Sequence, residues 1–331
     1  MKCFVTGSNG FIGSRLVEKL GENGHEIKCL VRSPEKFGTQ NNKNIQPIYG
    51  DLDNLEALSS GTKDCDVVFH LAAYAKPWSK DPDLSHKINV QGTINLLEAS
   101  LKNKVKKFIF TSSAAVFGPS PENRIIDELV VREITFFNDY ESTKAMAETE
   151  AIKFIARGLP VVILNPTRVY GPGPLNASNS VTKIIKLYQM GKWHVIPGEG
   201  SKIGNYAFIN DVVDGHLKAA DSGKPGERYI LGGENLSFDQ FFGKLGKITG
   251  KKPFLVNIPV WLMLFLSGIL ESQAKITGLA PPITPSWVKK YYNHWNLASE
   301  KAINELEYHI TPFEAGVQKT LEWLNSNKRN V

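Results

Sequence analysis

Short, wholly apolar runs alternate with longer amphipathic stretches through the first half of the chain. Residues 2–6 form the first run, and 26–31, 45–49, 66–71, 107–113 and 159–165 repeat it. Between the first two, residues 12–23 place Ile12, Leu16, Val17 and Leu20 on one helical face and stop near Gly24. The 3.6-residue period predicts a helix there. Further helices are predicted over about 84–102 and from Tyr140 through Arg157, with Gly158 as the stop. Strands that are apolar throughout, separated by helices, predict a parallel sheet covered on both faces. That is a doubly wound α/β fold, whose ligands bind at the carboxyl ends of the strands.

The pattern loosens after Asn165. Residues 166–180 are rich in Pro, Gly, Asn and Ser. A helix is predicted over 180–191, then a strand leading into a helix over 208–220, with Asn210 or Asp211 as its cap. Residues 227–233 read as one more strand, and the rest as mostly helical. The predicted division is a dinucleotide-binding domain over 1–165, with a returning segment near 205–233. A smaller, mostly helical substrate-binding lobe takes 166–204 and 234–331. No clean linker separates them, so the two should be rigidly joined.

Composition narrows the classes. The 331 residues are 42% hydrophobic and 22% charged, which excludes a disordered or fibrous chain. The net charge is +6, but no aromatic residues interleave with the lysines, so a nucleic-acid partner is not expected. A mild basic field suits an anionic ligand. Cys3, Cys29 and Cys65 lie in or beside apolar runs without metal-ligand spacing, as expected of reduced thiols in a cytoplasmic protein with no bound metal. Met1-Lys2 runs straight into the first strand, so no signal peptide is expected. The longest apolar stretch, 254–270, is broken by Asn257, Pro259, Ser267 and Gly268 and is too short to span a bilayer. It is expected to be a packed or interface helix, with membrane-surface contact as the minor alternative. Trp193, Phe208, Trp261, Phe265 and Trp287 are expected mostly in the core.

Three glycines carry the first chemistry. Gly7, Gly10 and Gly13 follow a strand and open a helix in the segment VTGSNGFIGSRL. Gly7 allows a tight turn, Gly10 lets a pyrophosphate approach the backbone, and Gly13 lets helix and strand pack closely. The helix N-terminus then favours the anion. This predicts a Rossmann dinucleotide site. The second strand ends in Val31-Arg32-Ser33, with Lys36 nearby, where NAD sites usually place a carboxylate. A guanidinium at that position suits a 2′-phosphate, so NADP is preferred, with NAD possible.

Tyr140 and Lys144 lie four apart on one helix face. A tyrosine ordinarily titrates near pH 10, and an adjacent ammonium is expected to lower it into the range of a general acid/base. The fifth strand ends in Thr111-Ser112-Ser113. A hydroxyl there, Ser113 above all, can hydrogen-bond a substrate oxygen.

Taken together, these motifs resemble the extended short-chain dehydrogenase/reductases, relatives of the NAD-dependent epimerase/dehydratase proteins. The resemblance runs over nearly the whole chain. Its carriers are TGSNGFIG (6–13), Asp51-Leu52, His70-Leu71-Ala72-Ala73, NVQGTINLLEA (89–99), FTSSAAVFG (110–118), Tyr140-x-x-x-Lys144 and NPTRVYGPG (165–173). Within the family the chain is most similar to the dihydroflavonol-reductase-like group, which includes proteins called hopanoid-associated sugar epimerases. Residues 72–83 and 227–241 carry that likeness.

The resemblance implies Ser113, Tyr140 and Lys144 as the catalytic set. It implies cofactor contacts from Gly7, Asn9, Gly10, Phe11, Ile12, Gly13, Arg32, Lys36, Asp51, Leu52, Leu71, Ala72, Ala73, Thr111, Tyr140, Lys144 and Pro166. Asp51 would hold the adenine amino group, Leu52 would pack on its ring, and Asn89 would support the site. Lys76, Trp78 and Ser113 are the candidate substrate contacts. A homodimer through a four-helix interface, from 84–102 and 139–157, is also implied.

The sequence departs from the family in two ways. Nucleotide-sugar enzymes of this family carry an arginine before the stretch matching 200–212. Here no arginine is present and Lys202 is the nearest cation. Ser113 is followed by Ala114-Ala115 rather than Asp-Glu, against 4,6-dehydration. The expected function is an NADP-dependent carbonyl reductase or secondary-alcohol dehydrogenase. The alternatives are an NAD-dependent nucleotide-sugar epimerase, a membrane-associated steroid-dehydrogenase-like enzyme and a non-catalytic dinucleotide-binding protein.

Overall fold

The computed structural model describes residues 1–36, 43–76 and 78–327. In chain order the first half gives β1 (Lys2–Thr6), α1 (Phe11–Glu22), β2 (Glu26–Val31), β3 (Ile45–Tyr49), α2 (Leu55–Thr62) and β4 (Val67–His70). Then come α3 (Leu84–His86), a π turn over Lys87–Gln91 and α4 (Gly92–Lys102), followed by β5 (Lys107–Thr111), α5 (Asp139–Ala156) and β6 (Val161–Pro166). The second half gives β7 (Arg168–Tyr170), α6 (Ser180–Gln189), β8 (Val195–Pro197), β9 (Ile203–Phe208), α7 (Ile209–Ser222) and β10 (Arg228–Leu231). It ends with β11 (Glu234–Ser237), α8 (Phe238–Thr249), β12 (Val256–Ile258), α9 (Val260–Thr277), α10 (Pro285–Tyr291), α11 (Glu300–Leu306) and α12 (Phe313–Ser326).

Seven strands form one parallel sheet in the order β10-β6-β5-β4-β1-β2-β3. The order in which successive strands are added reverses between β1 and β4, which opens a crevice at their carboxyl ends. Each strand buries alternate residues on opposite faces. Cys3 and Val5 of β1 enter one core with Phe69 and Ile109, while Phe4 enters a second with Val68, Phe108 and Phe110. This is the doubly wound Rossmann arrangement that the apolar runs predict. Two small sheets flank it, β11-β9-β7 and β12-β8.

Three expectations need correction. Asn210 and Asp211 do not cap α7, because the helix starts at Ile209 with Phe208 at the cap position. Asp211 is instead buried in the first turn and accepts hydrogen bonds from the Thr311 amide (2.7 Å) and hydroxyl (2.6 Å). The 254–270 stretch, expected as a packed or interface helix, is not one helix throughout. It opens with the strand β12, and α9 buries only Met263, Ser267 and Ala274. Trp261 (69% exposed) and Phe265 (63%) therefore stand outside the core, whereas Phe208 lies within it. Among the described residues no helix is long and apolar enough to cross a membrane.

Candidate active site

The glycine loop joins β1 to α1 at the sheet's reversal. Gly7 has φ of +74°, and a Cβ there would meet the Ala72 amide at 2.6 Å. A Cβ on Gly13 would meet the Gly7 carbonyl at 2.1 Å, so only glycine lets α1 seat on the loop. Gly10 donates its amide to the Gly7 carbonyl (2.9 Å) and caps α1 without a side chain. No acidic residue stands in the first turn of α1. Open amides at a positive helix end, with no carboxylate nearby, fit a dinucleotide diphosphate. Asn9 is exposed on the loop and Ile12 is partly buried. Phe11 turns inward, only 2% exposed, and packs against Gly173.

Leu71, Ala72 and Ala73 leave β4 directly beside this loop, with the Ala72 amide donating to the Thr6 hydroxyl (3.3 Å). Arg32 is exposed at the end of β2, and no ion pair among the described residues engages it. Lys36 closes the short turn Pro34–Lys36 that follows. Asp51 is exposed, its Oδ1 accepting from the Asp53 amide (3.0 Å). Leu52 is already 7% exposed because it packs on Gly92 of α4, which leaves little of it for an adenine ring.

α5 carries the second half of the site. Asn138 caps the helix through the Glu141 amide (3.0 Å), and Asp139 and Glu141 suit its positive end. One helical turn then separates Tyr140 from Lys144. Lys144 is 2% exposed and donates from Nζ to the Thr111 carbonyl (2.6 Å), over the face of Phe110 at 4.7 Å. Burial drops its ammonium to about 8, opposed by the Glu148 carboxylate.

The tyrosine differs from expectation. Burial raises the Tyr140 phenol above its ordinary value, a hydrogen bond with the Ser113 hydroxyl pulls it down, and Glu141 pushes it up. The Lys144 ammonium stays at the strand end, between the Thr111 carbonyl and the Phe110 ring. Ser113 sits just past β5, its Oγ also accepting from the Ala115 amide (3.2 Å) and its carbonyl accepting from Asn165 Nδ2 (3.2 Å). Pro166, the last residue of β6, lies next to that asparagine in the chain.

Several supporting groups were legible only in part. Asn89 is 1% exposed within the π turn. Its Oδ1 accepts from the Tyr74 amide (2.7 Å), and its Nδ2 donates to the Thr143 hydroxyl (3.0 Å) of α5. It thus ties the loop after β4 to the catalytic helix, and a π turn is a common way to aim such a residue. Thr111 does not present its hydroxyl to the crevice. Its Oγ1 pairs with His216 Nε2 of α7 (2.9 Å), and burial holds that imidazole down at about 4. His70 lies between Thr6 (2.7 Å) and Thr93 (2.9 Å), held down to about 3 by burial and the Lys144 charge. Both histidines are neutral locks between elements. Lys76 and Trp78 touch Tyr74 instead of the catalytic set. The Lys76 ammonium is 6.0 Å from the Tyr74 ring, and the Trp78 carbonyl accepts from the Tyr74 hydroxyl (3.1 Å).

A charged cluster that the sequence reading did not single out adjoins Tyr140. Glu141 is fully buried, with Arg132 at 3.0 Å and Lys290 of α10 at 3.1 Å. Arg132 also donates to the Ala115 (2.5 Å), Ile134 (3.0 Å) and Thr135 (3.0 Å) carbonyls, which pins the segment before α5. Arg168 of β7 crosses to β9, its guanidinium 4.4 Å from the Tyr291 ring and 5.7 Å from the Tyr206 ring. A Cβ on Gly204 would meet Arg168 at 2.3 Å. Arg168 thus stands across the small sheet against the stretch 200–212. The signal was one letter in NPTRVYGPG, whose neighbour in space the sequence spacing does not reveal.

Comparison with known proteins places the chain in a family. A protein of Synechocystis sp. bearing the provisional name dihydroflavonol 4-reductase is 29% identical over 329 residues, covering 98% of this chain and 94% of its own. A 3beta-hydroxysteroid-dehydrogenase/decarboxylase of Arabidopsis thaliana is 27% identical, over 97% of this chain and 79% of its own. The crystal structure of UDP-glucose 4-epimerase from Thermotoga maritima with UDP-glucose superposes with a TM-score of 0.81 at 26% identity, covering 99% of this chain and 100% of that one. The family model described as the NAD dependent epimerase/dehydratase family matches residues 3–232. The chain belongs to that family.

Proposed function

We propose that this protein is an NADP-dependent carbonyl reductase or secondary-alcohol dehydrogenase. The observation that carries the reading is the convergence of Ser113, Tyr140 and Lys144 at the carboxyl ends of the strands, beside a glycine loop open to a diphosphate. Gly7, Gly10 and Gly13 would hold the pyrophosphate, and Arg32 with Lys36 the 2′-phosphate. Arg32, exposed and without an ion pair among the described residues, supports the preference for NADP. When bound, the nicotinamide supplies or takes the hydride.

The chain's own residues handle the proton. In reduction the Tyr140 phenol, held protonated by burial, gives its proton to the substrate oxygen. The Ser113 hydroxyl hydrogen-bonds that oxygen and the phenol together, which orients both. The phenolate left behind is stabilised by the Lys144 ammonium while that group stays charged, below about pH 8. Solvent then reprotonates Tyr140. In alcohol oxidation the same steps run backwards.

The test is Tyr140→Phe against a panel of apolar ketones and aldehydes. Turnover should be lost with NADPH binding kept; turnover that survives would remove Tyr140 from this role. The second reading, a nucleotide-sugar epimerase holding NAD, is favoured by one observation, the reach of Arg168 to Tyr206. A homodimer through α4 and α5 is also proposed, since Met146 (48%) and Ile152 (51%) of α5 are exposed.

A further inference from the structure

Arg168 stands out among the charged groups near the catalytic helix. Its Nη2 is buried without a hydrogen-bond partner, and its Nη1 reaches only the Tyr206 hydroxyl, at 3.4 Å. No carboxylate among the described residues pairs with it. Glu141, the one buried carboxylate of the cluster, is divided between Arg132 and Lys290. Two cations thus share this anion, and Arg168 has no such partner among the described residues. Lys290 registers the imbalance: burial lowers its ammonium, Glu141 raises it, and Arg168 and Arg132 lower it further.

The two tyrosine rings do not resolve this. Stacking satisfies the faces of a guanidinium and leaves its in-plane N–H edge, which matches a carboxylate. The position also suits a substrate. Arg168 follows β6, whose Asn165 holds the Ser113 carbonyl, so it lies on the same side of the sheet as the catalytic hydroxyls. The Tyr291 and Tyr206 rings flank the guanidinium at 4.4 Å and 5.7 Å. A cation edge beside an aromatic wall selects a particular chemistry.

We infer that Arg168, backed by Lys290, is a carboxylate-binding subsite, and that the substrate is an acid with an apolar or aromatic body. This rests on the reductase reading only for which substrate oxygen reacts.

The experiment uses the full chain with saturating NADPH and three probes, benzoate, benzamide and UDP, followed by ligand-observed NMR and calorimetry. Benzoate should bind wild-type protein at least about tenfold more tightly than isosteric benzamide. R168Q should erase the difference, R168K should keep part of it, and NADPH affinity should be equal in all three proteins. Equal binding of benzoate and benzamide to the wild type, or no binding of benzoate at millimolar concentration, would overturn the subsite without needing any variant to fold. A preference that survives R168Q would do the same. Tight UDP binding that R168Q removes would overturn the carboxylate in favour of a phosphoryl group. Tyr140→Phe turnover is measured separately, so failure of the subsite and failure of the reductase reading are told apart.

Discussion

At the scale of single residues, protonation decides the direction of the chemistry. Tyr140 is raised above its ordinary value and Lys144 is lowered to about 8. An ammonium with a depressed pKa is lost as pH rises through that value. Reductive kcat/KM should therefore fall above about pH 8, a limb set by Lys144 because the Tyr140 proton leaves only at higher pH. Lys144→Arg, which stays charged throughout, should move the limb beyond the measured range; a limb unchanged in that variant would assign it elsewhere. The folded protein holds fewer protons at Lys144 than the unfolded chain between about 8 and the ordinary lysine value of 10.5. Stability should accordingly rise with pH across that window, and Lys144→Met should flatten the rise in chemical denaturation.

The residue scale is also where the sequence was most and least legible. The glycines, Ser113, Tyr140 and Lys144 are fixed by spacing along one loop or one helix turn, so short-range pattern finds them. The direction of the Tyr140 shift was misjudged, because helix spacing tells which side chains share a face but not how deeply each is buried. Arg132, Lys290 and Arg168 come from three separate segments, and no periodicity joins them to Glu141.

Elements hold these residues through a few exchanges that can be broken one at a time. Asn138→Ala removes the side-chain cap of α5. It should cost about 1 kcal/mol of stability. Its effect on turnover should exceed that, since Tyr140 lies in the first turn. Equal losses in denaturation and turnover would leave the cap a purely structural role. Gly13→Ala places a methyl against the Gly7 carbonyl at 2.1 Å. It should weaken NADPH binding at least tenfold while the far end of the sheet stays folded, as seen by hydrogen exchange.

The strand and helix pattern of the first half was legible because each strand is buried on both faces and each helix stops at a recognisable signal. The cap of α7 was not. Asp211 looks like a capping residue in sequence, but Thr311, one hundred positions on, takes its carboxylate.

For the whole molecule, the sheet's reversal between β1 and β4 sets the position of the site, and the second half closes it with small sheets and helices. That half was the least legible. Its strands have only three to six residues, and their partners lie far along the chain. The apolar stretch after Phe254 read as a packed or interface helix, and α9 leaves Trp261 and Phe265 outside the core. Replacing either with Ser should change stability by no more than about 0.5 kcal/mol, as for surface positions in general. A loss of several kcal/mol in urea unfolding would mean that this face is covered in the folded protein.

The central claim, a reductase built for NADP, is tested most directly by fluorescence titration of cofactor-stripped protein with NADPH and NADH in parallel. The account predicts NADPH binding at least tenfold tighter, with the preference lost in Arg32→Asp. Protein that arrives loaded with NAD, or binds NADH as tightly as NADPH, would contradict it.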